Sequence, residues 1–254
     1  MFGRSAALSL VCCAASLLGA SAAHAHELVH ITNAVFSPNL LGAATDVLGN
    51  ATIESTDLPV PSPIEHVEVF GPAGVTLDLA GSATCSRSPL ERIGPSACPA
   101  NSRAGGGGGL GAYEIGKQIV REPYELEFFL ADNRPGHVAM LVLLTGHEPV
   151  SIELIFAATV IKGPPPYGLG FSLDVPLIKV LPEASNASAT TASLNLGAKG
   201  QTYTKVIHGK RRRLHVKGIV LPHHCPRGGW PVASRIRFFD GSTVMATHSI
   251  PCPH

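Results

Sequence analysis

Apolar residues recur at every second position through much of this chain, and that period suits one local structure, a strand with one buried and one wetted face. In Tyr124-Glu125-Leu126-Glu127-Phe128-Phe129-Leu130, the residues Tyr124, Leu126, Phe128 and Leu130 share a face, while Glu125 and Glu127 point the other way. The stretch Val150 to Val160 keeps Val150, Ile152, Leu154, Phe156 and Val160 in register. Val67 and Val69 alternate with His66 and Glu68, and Leu214, Val216 and Val220 alternate with His215 and Lys217. Near the C-terminus Val232, Ile236 and Phe238 lead into Asp240-Gly241, a dipeptide suited to a tight hairpin, and the chain returns from Val244. No window carries a helical stripe. Breakers divide these segments: of 254 residues, 27 are Gly and 21 are Pro, a content that opposes a helical bundle. The clearest loops are read at Pro61-Ser62-Pro63, Gly105 to Gly109, Gly163-Pro164-Pro165-Pro166 and residues 183–188. The expected fold is all-β: an antiparallel Greek-key sandwich of immunoglobulin-like or jelly-roll type, or two small sandwiches in tandem, braced by disulfides.

The first 25 residues read as a cleaved signal peptide, with Arg4, the apolar stretch Ala6 to Ala20, and small residues in Ala23-His24-Ala25. After it the longest apolar run, Val138 to Leu144, falls well short of the roughly 20 residues that span a bilayer. The expected location is extracellular or at the cell surface. Export leaves Cys85, Cys98, Cys225 and Cys252, an even number in an oxidising compartment. Of three connectivities, Cys85–Cys98 with Cys225–Cys252 is favoured, because each pair brackets a local segment with turn signals. No C-x-x-C spacing supports a zinc site.

The formal charge of +1 conceals a division. Residues 26–160 hold 6 Lys and Arg against 15 Asp and Glu, a balance of −9; residues 161–254 hold 12 against 3, a balance of +9. An acidic part at 26–182 and a basic part at 191–254, with a linker at 183–190 if they form two domains, are expected to attract each other within one molecule or between molecules.

Two segments carry a resemblance. Gly71-Pro72-Ala73-Gly74-Val75, Cys85 and Cys98-Pro99-Ala100-Asn101-Ser102 look like a "PxGV…C…CPxxS" signature. The run from Leu221 to Pro231, with Cys225-Pro226-Arg227-Gly228-Gly229-Trp230-Pro231, then Phe239-Asp240-Gly241 and Pro251-Cys252-Pro253, is similar to a "CPxGGxP…F.DG…PC" ending. Both resemble exported β-rich surface proteins of soil actinobacteria. The resemblance implies export, β structure and the disulfides, and brings no catalytic residues.

Several motifs invite a sharper function. His26-Glu27-Leu28-Val29-His30 matches H-E-x-x-H, which on a helix places two zinc-binding histidines one turn apart with a glutamate base. Here cleavage after Ala25 makes His26 the first residue, Asn33 and Phe36 occupy the places of a Gly and a third His, and only the distant Glu54 offers a third ligand. An N-terminal His26 also suits copper chelation, with His137 or His147 as partner, in the manner of secreted copper monooxygenases. The glycine tract mimics G-x-G-x-x-G and, at Gly111 to Lys117, G-x-x-x-x-G-K, but Gln118 stands where a phosphate loop needs Ser or Thr. Ser172, in Gly170-Phe171-Ser172-Leu173-Asp174, lacks the second glycine of G-x-S-x-G. The strongest binding candidate is basic: Lys205, Lys210, Arg211, Arg212, Arg213 and Lys217 cluster around a hairpin turn at Gly209, where arginine could pair with phosphate or carboxylate groups.

The sequence therefore predicts a secreted or envelope-associated, non-catalytic β protein with a structural or binding role. Its expected partner is an anionic cell-wall polymer, held by the basic hairpin, or another envelope protein, and no nucleic acid, because aromatic residues do not interleave with the cations. No catalytic residue, metal or cofactor is assigned. The alternative is a copper or zinc enzyme using His26.

Overall fold

The structure, a computed structural model, describes residues 27–134, 137–147, 149–198 and 201–253. The expected leader and His26 lie outside the described residues. The strands are β1 (Glu27–Ser37), β2 (Ala44–Ser55), β3 (Ile64–Pro72), β4 (Thr76–Asp78), β5 (Arg103–Ile115), β6 (Gln118–Arg134), β7 (His137–Gly146), β8 (Ile152–Lys162), β9 (Tyr167–Asp174), β10 (Ser188–Leu196), β11 (Thr202–Ile207), β12 (Lys210–His215), β13 (Gly218–Val220), β14 (Trp230–Phe238) and β15 (Thr243–Ile250). Among the described residues one short α-helix, α1 (Arg87–Ile93), and two 3-10 turns, Pro95–Ala97 and Ala100–Ser102, interrupt them. No helix among the described residues is long and apolar enough to cross a membrane.

Thirteen strands form one sheet in the order β15-β14-β3-β9-β8-β7-β6-β5-β10-β2-β13-β4, with β1 also on β2. All its ladders are antiparallel. The sheet coils until β1 runs alongside β15, giving a sandwich-like shell around a shared apolar interior. Strands on both sides of residues 183–190 belong to it: β10 lies between β2 and β5, and β14 between β3 and β15.

The alternation seen in the sequence orients these strands. Val67 and Val69 of β3, Leu126 and Phe128 of β6, and Ile152, Phe156 and Val160 of β8 face the interior. Asp240 and Gly241 lie in the connection between β14 and β15, with Gly241 at φ +87°. Gly105 to Gly109, in contrast, is no flexible loop. It is the core of β5, flanked on both sides. A Cβ on Gly107 would stand 2.2 Å from the Ser193 carbonyl oxygen, and one on Gly109 2.0 Å from that of Thr191. Opposite Gly109, Tyr124 reaches across the bare backbone, and its hydroxyl donates to the Thr191 carbonyl at 2.9 Å. Glycine is what lets three strands pack this closely.

Both disulfides join the pairs read from sequence, Cys85–Cys98 and Cys225–Cys252. The first holds the α1 segment on the outer face of the sheet, where buried Leu90 packs with Phe129, Leu141 and Leu143. The second ties the approach to β14 to the chain after β15, beside a cluster that includes Phe36, Leu221, Trp230 and Ile250. Loops of this size stabilise by roughly 3 kcal/mol each. Three ion pairs join the acidic and basic parts inside one molecule: Arg235 pairs with Glu68, Arg237 with Glu65 at 2.8 Å, and Lys217 with Asp78 at 3.1 Å.

Candidate functional site

Inside the shell lies a cavity of about 420 Å³ with almost wholly apolar walls. Its presence explains why Val67, Val69, Leu126, Leu144 and Phe156 face inward yet remain only half-buried. Their surfaces open onto space instead of onto partner side chains.

Arg103, Gln201, Tyr124 and several serines also line it, and two of the lining residues are buried polar groups that stand out. Glu122 of β6 is 5% exposed and Tyr113 of β5 is 1% exposed. Neither carboxyl oxygen of Glu122 nor the Tyr113 hydroxyl has a hydrogen-bond partner among the described residues. The strand period puts them there: Glu122 is in phase with Tyr124, Leu126 and Phe128, and Gly111, two residues before Tyr113, lies opposite Glu122. The carboxyl rests against Gly146 of β7, where a Cβ would come within 2.7 Å of Oε1. Residues 175–187 cross this end of the interior, bridging Ala184 to Ile115 and contributing Ile178 and Val180 to its wall.

An unpartnered buried polar group costs about 1–3 kcal/mol. Burial holds the Glu122 carboxyl above the ordinary carboxylate range, opposed in part by His147, and burial with the Glu122 charge pushes the Tyr113 phenol up. A carboxyl raised in the folded state favours folding fully below its unfolded value of about 4.5 and loses that contribution as pH climbs through the folded value. Thermal melts of wild type and Glu122→Gln should therefore converge at low pH and separate as pH rises, with the wild type falling below the variant. A gap that does not change with pH would contradict the shift.

A second constellation lies on the outer face, where sequence reasoning found no motif. His66 of β3 stands between Asp174, at 2.6 Å from Nδ1, and Ser172, whose hydroxyl is 3.1 Å from Nε2. Strands 106 residues apart in sequence make this juxtaposition, so no local pattern announces it. The distances match a Ser-His-Asp relay. The surroundings do not: the Asp174 side chain is 86% exposed, and Ser172 lies mid-strand, where the adjoining amides are committed to ladders with β3 and β8. A hydrolase needs free donors converging on the developing oxyanion. These groups act as cross-strand pairs, joined by Glu68 and Arg235.

Five of the six basic residues fall on β11 and β12, a two-stranded sheet separate from the main one, and Lys217 follows β12. His208 and Gly209 form its turn, both at positive φ. Register divides the cations: Lys205, Lys210 and Arg212 share one face, and Arg211 and Arg213 the other. All five are exposed, and none is ion-paired among the described residues; Lys217 alone of the set is paired, to Asp78.

The described part of the H-E-x-x-H segment, Glu27 to His30, is strand and not helix. Glu27 is buried at the start of β1 and accepts a hydrogen bond from the Ser62 amide at 3.0 Å, while His30 is exposed opposite Thr52. No three His, Cys, Asp or Glu side chains gather in metal-binding geometry among the described residues. The phosphate-loop mimics lie in β5 and its turn into β6, with no helix N-terminus to receive an anion. Comparison with family models, curated proteins and solved structures returns no match.

Proposed function

We propose that this protein is an exported, non-catalytic binding protein that holds an apolar small molecule inside its coiled sheet. The observation that carries the reading is the cavity: about 420 Å³, apolar throughout except for a few polar groups. Sites for small molecules fall in this size class and combine apolar walls with a small number of placed polar groups. The leader-like residues 1–25 and two disulfides support export. Titration with a neutral apolar fluorophore such as N-phenyl-1-naphthylamine should give saturable one-to-one enhancement. Leu126→Trp, which fills the interior, should abolish it while circular dichroism stays that of a folded β protein. Absence of saturable binding to the wild type would overturn the reading.

The exposed hairpin supports a second, compatible role. Five exposed cations without acidic partners among the described residues suit an extended polyanion, so the protein docks on anionic surface polymer through β11 and β12. Replacing Arg211, Arg212 and Arg213 by Ser should lower retention on teichoic-acid-coated resin several-fold at low salt and leave little difference at 0.5 M salt, where screening lengths shrink to a few ångströms. Equal retention of variant and wild type would remove the hairpin from that role.

A further inference from the structure

We infer that the interior ligand is an apolar alcohol, whose single hydroxyl group is held between Glu122 and Tyr113. The inference rests on the reading of the interior as a ligand site and adds the chemistry of the ligand's head.

The argument is an accounting of donors and acceptors. Glu122 presents two carboxyl oxygens and Tyr113 one hydroxyl; both residues line the cavity and neither has a protein partner among the described residues. They stand on neighbouring strands with their side chains in the same inward phase. A head group that satisfies the pair must give a hydrogen to the carboxylate and take one from the phenol, since an ionised carboxylate only accepts while a phenol can donate. A hydroxyl group does both. It also serves if Glu122 is protonated, by accepting from the acid and donating to the phenol oxygen.

Other heads fail on one count each. An ether, ester or ketone accepts only: it can take a hydrogen from a protonated Glu122 or from the phenol, but it gives none to an ionised carboxylate or to the phenol oxygen. An ammonium donates only, leaves the phenol hydrogen without an acceptor, and brings a charge into apolar walls. A carboxylate repels an ionised Glu122. The apolar remainder of the ligand follows from the walls, where Val67, Val69, Leu126, Leu144 and Phe156 offer dispersion and no polarity.

The test displaces the bound fluorophore with four ligands of similar chain length: 1-decanol, 1-methoxynonane, decylamine and decanoic acid. Decanol should displace it at about 10-fold lower concentration than the ether, because a site built around hydrogen bonds rejects an analogue lacking them. In Tyr113→Phe and Glu122→Leu, each checked for folding by circular dichroism, the alcohol-to-ether ratio should collapse toward 1. The ratio is measured within each variant, so a general loss of affinity cancels, and if one variant fails to fold the other decides. Equal displacement by alcohol and ether from the wild type would overturn the hydroxyl assignment and leave the interior site standing. Tightest displacement by decylamine or by decanoic acid would overturn it in favour of that head. Failure of the fluorophore itself to bind saturably would instead overturn the interior site.

Discussion

Gly109→Val should lower stability by about 3 kcal/mol or more, a fall in melting temperature of roughly 6–12 °C for a chain of this size. The new Cβ would meet the Thr191 carbonyl oxygen at 2.0 Å and the Tyr124 hydroxyl at 2.8 Å. Neither can retreat cheaply: one is ladder backbone, and the other is the donor of the bond that crosses the strand. Relieving the overlap pushes β10 away from β5 and costs that bond as well. The same strand supplies the control. At Gly111 the nearest atoms to a Cβ are 3.7 Å away, ordinary van der Waals distance. Gly111→Ala should be neutral or mildly stabilising, since it also reduces the freedom of the unfolded chain. Chemical denaturation followed by the fluorescence of Trp230, the sole tryptophan, reads both variants. Equal stabilities would show that the glycine tract is not selected for close approach.

Trp230→Ala should cost about 3–5 kcal/mol. The indole is fully buried, meets the Phe36 ring edge-on at 6.3 Å, and donates from Nε1 to Asn39 Oδ1 at 3.0 Å. It fills the space beneath Leu221 and Ile250, next to the Cys225–Cys252 bridge. Truncation leaves a void no neighbour can enter and an amide oxygen without its donor. Trp230→Phe keeps most of the apolar volume and loses the hydrogen bond, so its cost should be nearer 1–2 kcal/mol. Melting by circular dichroism measures both; an alanine variant as stable as the wild type would mean that this corner contributes little to the fold.

What the sequence disclosed and concealed follows from how far apart the cooperating residues lie. Alternation is local, so β3, β6, β8 and the β14–β15 hairpin are readable from five or six residues each. The disulfides are readable for a related reason: each pair closes a short segment, 13 and 27 residues long. Gly105 to Gly109 misleads because periodicity is a property of side chains, and a strand without them has no period. Its role is visible only once Tyr124 and Thr191 are in place. The His66–Ser172–Asp174 group is invisible for the opposite reason, since its members acquire their relation only through the pairing of β3 with β9. Glu122 stood in plain view. It is in step with Tyr124, Leu126, Phe128 and Leu130, so the alternation already places a carboxyl on the buried face. The proline at 123 obscures this by suggesting that the strand begins after it, whereas the ladder with β5 passes through Pro123 without a break in register.

The ladder between β3 and β14 carries a consequence for the chain's history as well as its shape. Arg235 meets Glu68 across 167 residues of sequence. While a ribosome is still making the last strands, β3 has only β9 beside it, its other edge is unpaired, and the apolar interior lacks a wall. Sheets that close through such distant partners form slowly, and open edges recruit other chains. The consecutive ladders from β5 to β9 can form before that, so an unfinished chain of this design is part-folded with an open edge, and that is the interval in which it is most exposed to aggregation.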